Sequence, residues 1–264
     1  MSSVGHPRIH FDGVSKRYGD RIVVNDIRLQ IRSGAIHCIL GPNGAGKTTT
    51  MHMMLGLRAP SAGRILIDDV AHDDPAILGI RRRIGFLSDQ PELYDDLTGR
   101  EFLIFLAELY GVDARAIAVE RHIDQLALRG ELDRVLRACS LGVRKKIALV
   151  GALLSEPEIL VLDEPTGALD AHAARAVKDT MREMREAGRL VVFSTHVMEL
   201  AESLADTISI LHQGRLIFSG DLATLRRVHG RGPFDRLEDV FLRLTADGQP
   251  VPVTGRASSV VDVA

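Results

Sequence analysis

Apolar residues follow two rhythms along this chain. Residues 1–7 show no periodicity and read as a loose terminus. From Ile9 to about Ile31 short apolar alternations predict strands. The apolar run Ile36-His37-Cys38-Ile39-Leu40 is halted by Gly41-Pro42-Asn43-Gly44, the pattern of a buried strand ending in a turn. Gly46 to Leu57 carries apolar residues all round, which predicts a buried helix. Gly63 to Val70 and Ile84 to Leu87 read as further strands. Thr98 and Glu101 form a capping-box pair ahead of Phe102, Phe105, Leu106 and Leu109, so a helix starts at Thr98 and stops near Gly111. Helical patterns continue from 115 to about 155. Ile159-Leu160-Val161-Leu162 is a buried strand, and Asp170 caps a helix that ends at Gly188. Leu190 to Phe193 is a strand followed by a helix over 197–204. Thr207 to Leu211 and Arg215 to Phe218 make a hairpin, and 236–244 a short helix. Residues 246–264, small and aperiodic, predict disorder.

Strands and helices alternate at both ends, with an all-helical stretch over about 90–155 between them. That order predicts an α/β domain over 8–245 with a helical subdomain inserted into it. Composition fits this picture: 45 % hydrophobic and 26 % charged residues supply a sizeable core. The longest apolar run, Ile147 to Leu154, is far short of the roughly 20 residues a membrane helix needs. The polar start of the chain predicts no secretory signal. The two cysteines, Cys38 and Cys139, lie far apart, which argues for a reducing compartment and against a disulfide framework or zinc site. The net charge of −2 argues against a general nucleic-acid binder. The basic clusters Arg81-Arg82-Arg83 and Arg144-Lys145-Lys146 are read as solvated faces, because they are short and lack interleaved aromatics.

Chemistry enters at Gly41-Pro42-Asn43-Gly44-Ala45-Gly46-Lys47-Thr48, which fits G-x-x-x-x-G-K-[ST] between a strand and a helix. The glycines let backbone N–H groups wrap a phosphate, and the helix N-terminus adds its positive end. Lys47 supplies a cation for the terminal phosphates and Thr48 a hydroxyl for Mg²⁺. These eight residues and Thr49 are the candidate nucleotide contacts. The second anchor is Asp163-Glu164, at the end of a buried strand where ligands bind in α/β folds. Asp163 is the expected Mg²⁺ partner, and Glu164 is placed to polarise an attacking water as general base.

These two anchors alone still admit kinases, GTPases and helicases. Four further pieces narrow the field. Cys139-Ser140-Leu141-Gly142-Val143-Arg144-Lys145-Lys146 resembles the signature loop of ABC-type ATPases, usually Leu-Ser-Gly-Gly-Gln followed by basic residues. Thr166-Gly167-Ala168-Leu169-Asp170 looks like that family's D-loop, and Ser194-Thr195-His196 like its switch histidine. Tyr18, in Lys16-Arg17-Tyr18-Gly19, matches the aromatic that stacks on adenine. Leu141 and Val143 depart from the usual signature: backbone donors survive such changes and side-chain contacts do not. Aligning Ile84-Gly85-Phe86-Leu87-Ser88 with the family's strand puts Asp89 at the usual Q-loop position, with Gln90 next to it; either could reach Mg²⁺ or its water.

The resemblance covers about residues 8–245. It implies a P-loop NTPase core of mixed sheet and helices with an inserted all-helical subdomain, the ABC ATPase fold. It implies ATP and Mg²⁺ as ligands, Glu164, His196 and Lys47 as catalytic groups, and Ser140 and Gly142 as contacts to the γ-phosphate held by a second copy of the chain. The implied protein is the ATPase of a membrane transporter, peripheral to the cytoplasmic face of the cell membrane and paired with an integral permease on a separate chain. The tract Pro91 to Thr98 and the Ser-Leu-Gly signature resemble exporters of drugs, lipids or polysaccharides. The alternatives are a soluble ABC ATPase in translation or DNA maintenance, and a nucleotide-sensing module without turnover.

Overall fold

The computed structural model describes residues 7–113, 117–230 and 235–246. The loose start over 1–7 and the disordered tail over 246–264 lie outside it, except that Pro7 opens the first strand and Ala246 closes the last helix. In chain order, β1 (Pro7–Tyr18) and β2 (Arg21–Arg32) form a hairpin, and β3 (Ile36–Leu40) leads into α1 (Lys47–Met54). Next come β4 (Ala62–Ile67), β5 (Val70–Ala71), α2 (Ile77–Arg81) and β6 (Ile84–Leu87). Then α3 (Gly99–Tyr110), α4 (Ile117–Gln125) and α5 (Leu141–Leu153) intervene before β7 (Ile159–Asp163). The chain continues through α6 (Ala171–Glu186), β8 (Leu190–Thr195), α7 (Met198–Leu204), β9 (Thr207–His212) and β10 (Arg215–Gly220). It finishes with α8 (Leu222–His229) and α9 (Leu237–Ala246).

Two sheets result. One has the order β10-β9-β3-β8-β7-β6 and is parallel except for β10; the other is antiparallel, in the order β2-β1-β4-β5. Strands β3, β7 and β8 are buried along their whole length, as expected of parallel strands covered on both faces. Alternate side chains of each feed different cores. Ile36, Cys38 and Leu40 join Leu160, Leu162 and Phe193 in the core against α5, α6 and α7. Ile39, Val161 and Val192 instead meet Met51, Met53 and Met54 of α1, with Phe11, Val24 and Ile27 of the antiparallel sheet beyond. The all-round apolar pattern of α1 is thereby explained: it lies between two sheets.

Several expectations need correction. The strand expected over Gly63 to Val70 breaks at Asp68 and Asp69, whose φ values of 49° and 62° make the two-residue turn between β4 and β5. Aspartate tolerates this left-handed region, so an Asp-Asp pair hid a hairpin turn usually written with Asn or Gly. The helix expected from Gly46 to Leu57 stops at Met54, and α2, α8 and β5 were not foreseen. Helix does not run from 115 to 155. Between α4 and α5 only a 3-10 turn at Leu136–Ala138 and a bridge from Thr98 to Val135 are regular, although Leu128, Leu132 and Leu136 are buried. The capping box at Thr98 forms as expected, and Gly111 closes α3 at φ 69°.

His37, on the central strand β3, is buried with Nδ1 2.8 Å from Thr207 Oγ1 and Nε2 3.0 Å from Ser209 Oγ. Burial pushes its pKa down to about 4. An unfolded histidine titrates near ~6.5. Between these values the unfolded chain holds more protons, so stability falls as pH falls through that window. The urea midpoint is expected to drop between pH 7 and pH 5, with this residue contributing on the order of 2 kcal/mol. His37→Gln should flatten that slope; an unchanged slope would place the pH dependence elsewhere.

Candidate functional site

The loop between β3 and α1 is shaped by close approaches. At Gly41 an added Cβ would lie 2.4 Å from the Leu211 carbonyl oxygen, so only glycine lets the loop start this close to β9. Gly46 has φ 102°, and a Cβ there would meet the Val23 carbonyl at 2.9 Å. Gly46 caps α1 with no side-chain hydrogen bond, leaving the first-turn N–H groups facing outward from the helix end. Residues 42–49 border a cavity of about 340 Å³, which Tyr18, Asp89, Asp163 and Glu164 also line.

Asp163 ends β7 and is buried. Its Oδ2 accepts a hydrogen bond from Thr48 Oγ1 at 2.7 Å and its Oδ1 accepts one from Ser194 Oγ. Lys47 Nζ donates to the carbonyls of Gly41 at 2.8 Å and Pro42 at 3.3 Å, and lies 3.5 Å from Glu164 Oε1. Glu164 adopts φ 46°, a left-handed conformation that costs roughly 1–3 kcal/mol in a non-glycine residue. The surroundings hold it there. Its N–H donates to Ser194 Oγ at 3.2 Å, and its Oε2 accepts from Thr195 Oγ1 at 3.2 Å. His196 Nδ1 is 2.9 Å from Oε1; a carboxylate only accepts, so the ring nitrogen is the donor. Lysine, histidine and glutamate thus meet beside the phosphate loop.

The two Q-loop candidates separate. Asp89 borders the phosphate cavity, whereas Gln90 borders a second groove with Phe86, Leu93, Phe102 and Tyr110. Tyr18 is exposed, and Lys16 Nζ stands 5.2 Å from its ring centroid. Arg21, directly across the β1–β2 hairpin from Tyr18, also borders the cavity. The sequence reading missed Arg21; its signal was its position two residues past the Tyr18-Gly19 turn.

Ser140 and Gly142 do not border this cavity. Ser140 is exposed as the N-cap of α5, accepting from Val143 N at 3.3 Å. Gly142 packs on the D-loop, where a Cβ would lie 2.7 Å from the Ala168 carbonyl oxygen. The basic run that follows is not the solvated face expected of it. The side chains of Arg144, Lys145 and Lys146 are only 19 %, 1 % and 13 % exposed. Successive residues of a helix point about 100° apart, and each of these finds a different acid, two on the connection from β6 to α3 and one on the connection from β7 to α6. Arg144 binds Asp95 at 2.6 Å, Lys145 binds Asp89 at 3.0 Å, and Lys146 binds Asp170 at 2.9 Å. The Lys146 ammonium, with the Ala173 N–H, holds the Asp170 carboxyl down at a pKa of about 2. In the other cluster only Arg82 is exposed; Arg83 pairs with Asp68 and Glu158.

The oxygen donors at the site (the Thr48 hydroxyl with the Asp163 and Asp89 carboxylates) are the hard ligands Mg²⁺ prefers. Among the described residues no group of three or more His, Cys, Asp or Glu could hold a metal. The set therefore suits a cation that shares its remaining ligands with phosphate and water.

Residues 24–167 match the sequence family described as ABC transporter. The daunorubicin resistance ATP-binding protein DrrA3 of Streptomyces coeruleorubidus is 37 % identical over 257 residues, spanning 94 % of this chain and 78 % of that protein. Nod factor export ATP-binding protein I of Burkholderia orbicola is 36 % identical over 214 residues, spanning 80 % and 70 %. An ATP binding subunit of an ABC transporter superposes with a TM-score of 0.82 at 30 % identity, covering 90 % of this chain and 99 % of that one. A dimeric ATP-binding cassette in a post-hydrolysis state, bound to ADP and Pi, superposes with a TM-score of 0.70 at 26 % identity, covering 81 % and 98 %. With the glycine-rich loop, the paired acids and His196 gathered at one sheet edge, this chain belongs to the ABC transporter family, as an ATP-binding subunit and an ATPase.

Proposed function

We propose that this ATPase powers export across the cell membrane, as one of two copies that close on ATP at the membrane's cytoplasmic face against a separate integral permease. The observation that carries the hydrolytic reading is Glu164, held in a left-handed conformation with its carboxylate between Lys47 and His196. Residues 8–245 form the ATPase domain, with the helical subdomain over about 90–155. Tyr18 stacks on adenine. Gly41, outside the cavity, gives its N–H to the Thr195 carbonyl at 3.3 Å, so the loop from Asn43 to Thr49 wraps the phosphates through its N–H groups, and Lys47 leaves its carbonyl partners for the terminal phosphates. Thr48, Asp163 and Asp89 hold Mg²⁺, directly or through water, which neutralises phosphate charge when bound. Gln90, on the second groove, serves the link to the helical subdomain better than the metal.

In the hydrolytic step Glu164 accepts a proton from water as the water oxygen bonds to the γ-phosphorus. The bond from that phosphorus to the bridging oxygen of ADP breaks, and the bond's electron pair leaves on ADP. His196 donates to Glu164 and keeps its carboxylate aimed. Ser140 and Gly142, outside their own chain's cavity and at an exposed helix N-terminus, contact the γ-phosphate bound by the other copy. Two-fold symmetry then completes both sites at once.

Among the described residues no helix is long and apolar enough to cross a membrane. The permease therefore meets this chain at a surface. The groove of about 500 Å³ between the β6 edge and α3 and α5 is lined by Phe86, Leu93, Phe102 and Tyr110 together with Ser88, Gln90 and Glu92, and suits an amphipathic helical segment of that partner. Export is supported by relatives named for Nod factor export and daunorubicin resistance.

Three substitutions test the assignment. Glu164→Gln should cut turnover by about 10²-fold or more while ATP still binds and an ATP-bound dimer accumulates, read by phosphate release and gel filtration. Turnover near the native rate would refute the general-base role. Lys47→Ala should weaken ATP affinity in a fluorescent-nucleotide titration, and unaltered affinity would count against its phosphate role. Tyr18→Ala should lose roughly 1–3 kcal/mol of ATP binding, with less effect on inorganic triphosphate. Equal losses for both ligands would remove the stacking role.

A further inference from the structure

Lys145 has no part in the mechanism above, yet it is a buried cation at the centre of the site's supporting structure. It is the fifth residue of α5, and its side chain passes behind the catalytic loop without reaching the phosphate cavity. Nζ donates to the Glu164 carbonyl oxygen at 2.6 Å and to Asp89 Oδ1 at 3.0 Å. Gly167 packs alongside this pair: a Cβ there would lie in ordinary contact, 3.5 Å from Nζ and 3.6 Å from Asp89 Oδ1. At the other end of Glu164, the N–H is taken by Ser194.

Both ends of the residue's backbone are therefore fixed, by a serine of β8 and a lysine of α5. Glu164 has φ 46°, so its side-chain direction depends on that backbone staying in a region an L residue leaves readily. We propose that Lys145 is a positioning residue for ATP hydrolysis: its ammonium clamps the Glu164 carbonyl to the Asp89 carboxylate and thereby aims the Glu164 side chain into the phosphate cavity. The proposal rests on the reading of Glu164 as general base. It gives Asp89 a second task, as the counter-charge that keeps Lys145 over the carbonyl. It also ties the helix carrying Ser140 to the catalytic residue of the same chain.

The test is ATPase activity and ATP affinity of the full chain carrying Lys145→Met, Lys145→Gln or Lys145→Arg, with thermal unfolding of each. Methionine matches the lysine stem without a donor. Asp89 is 48 % exposed, so water can solvate its carboxylate once the lysine is gone. Lys145→Met is expected to lower kcat by about tenfold or more, with ATP Kd within about threefold of native. Lys145→Arg, which keeps charge and donors, should retain about a third of kcat or more, and Lys145→Gln should fall between. If the methionine variant misfolds, the glutamine and arginine variants carry the comparison. A Lys145→Met kcat within about twofold of native overturns the proposal. So does a loss confined to ATP affinity, or an equal loss in all folded variants. Glu164→Gln in the same assay separates the two readings. Turnover kept there refutes the general base itself; turnover lost there, with Lys145→Met fully active, refutes the positioning role alone.

Discussion

The rest of the site hangs on one carboxylate with almost no access to water. Asp163 ends β7 in the interior, and a buried charge with no partners would cost several kcal/mol. Both of its oxygens are met by hydroxyl groups, one from Thr48 on α1 and one from Ser194 on β8. The carboxylate thereby joins the glycine-rich loop after β3 to β8, the strand that leads into His196. Parallel register brings them together: Asp163 lies opposite Ser194, and Leu40 opposite Thr195. A slip of one residue in either ladder would turn the acid or the serine to the other face of the sheet.

Beside this fixed acid sits a strained one. Asp163 is in regular strand geometry, whereas Glu164, the next residue, is left-handed. That reversal brings the Glu164 side chain to Lys47 and His196. The strain is local, and its restraints come from β8 and α5, elements far away in sequence. The α/β core thus provides a rigid edge, and the inserted helices provide one of the contacts that hold Glu164 in place.

Much of this was legible in the chain. The central strands announced themselves as apolar runs ending at Gly41 and Asp163, because burial on both faces leaves no alternation to misread. The phosphate loop, the paired acids and His196 were legible because each follows such a strand directly. What escaped was whatever depends on partners distant in sequence. Nothing near Lys145 indicates that its ammonium is buried, because Asp89 and the Glu164 carbonyl reach it only through the fold. A short basic run without aromatics looks like a wet surface until the loops around it are placed. The turn at Asp68 and Asp69 was hidden because no glycine marks it. The buried leucines between α4 and α5 imitate helical spacing while packing as irregular chain.

The basic run on α5 bears on how this sequence can drift. Arg144, Lys145 and Lys146 reach three separate acids on two loops from three successive helical positions. An inserted or deleted residue between Ser140 and Arg144 would rotate all three by about 100° and break every one of these contacts together. The exposed Leu141 and the half-buried Val143 face no such demand, and they are the two positions that depart from the usual signature. At these two positions the spelling can vary, whereas across the segment the count cannot. Distant kin of the chain should be recognisable by the spacing from Ser140 to Lys146 even where the letters at 141 and 143 have changed.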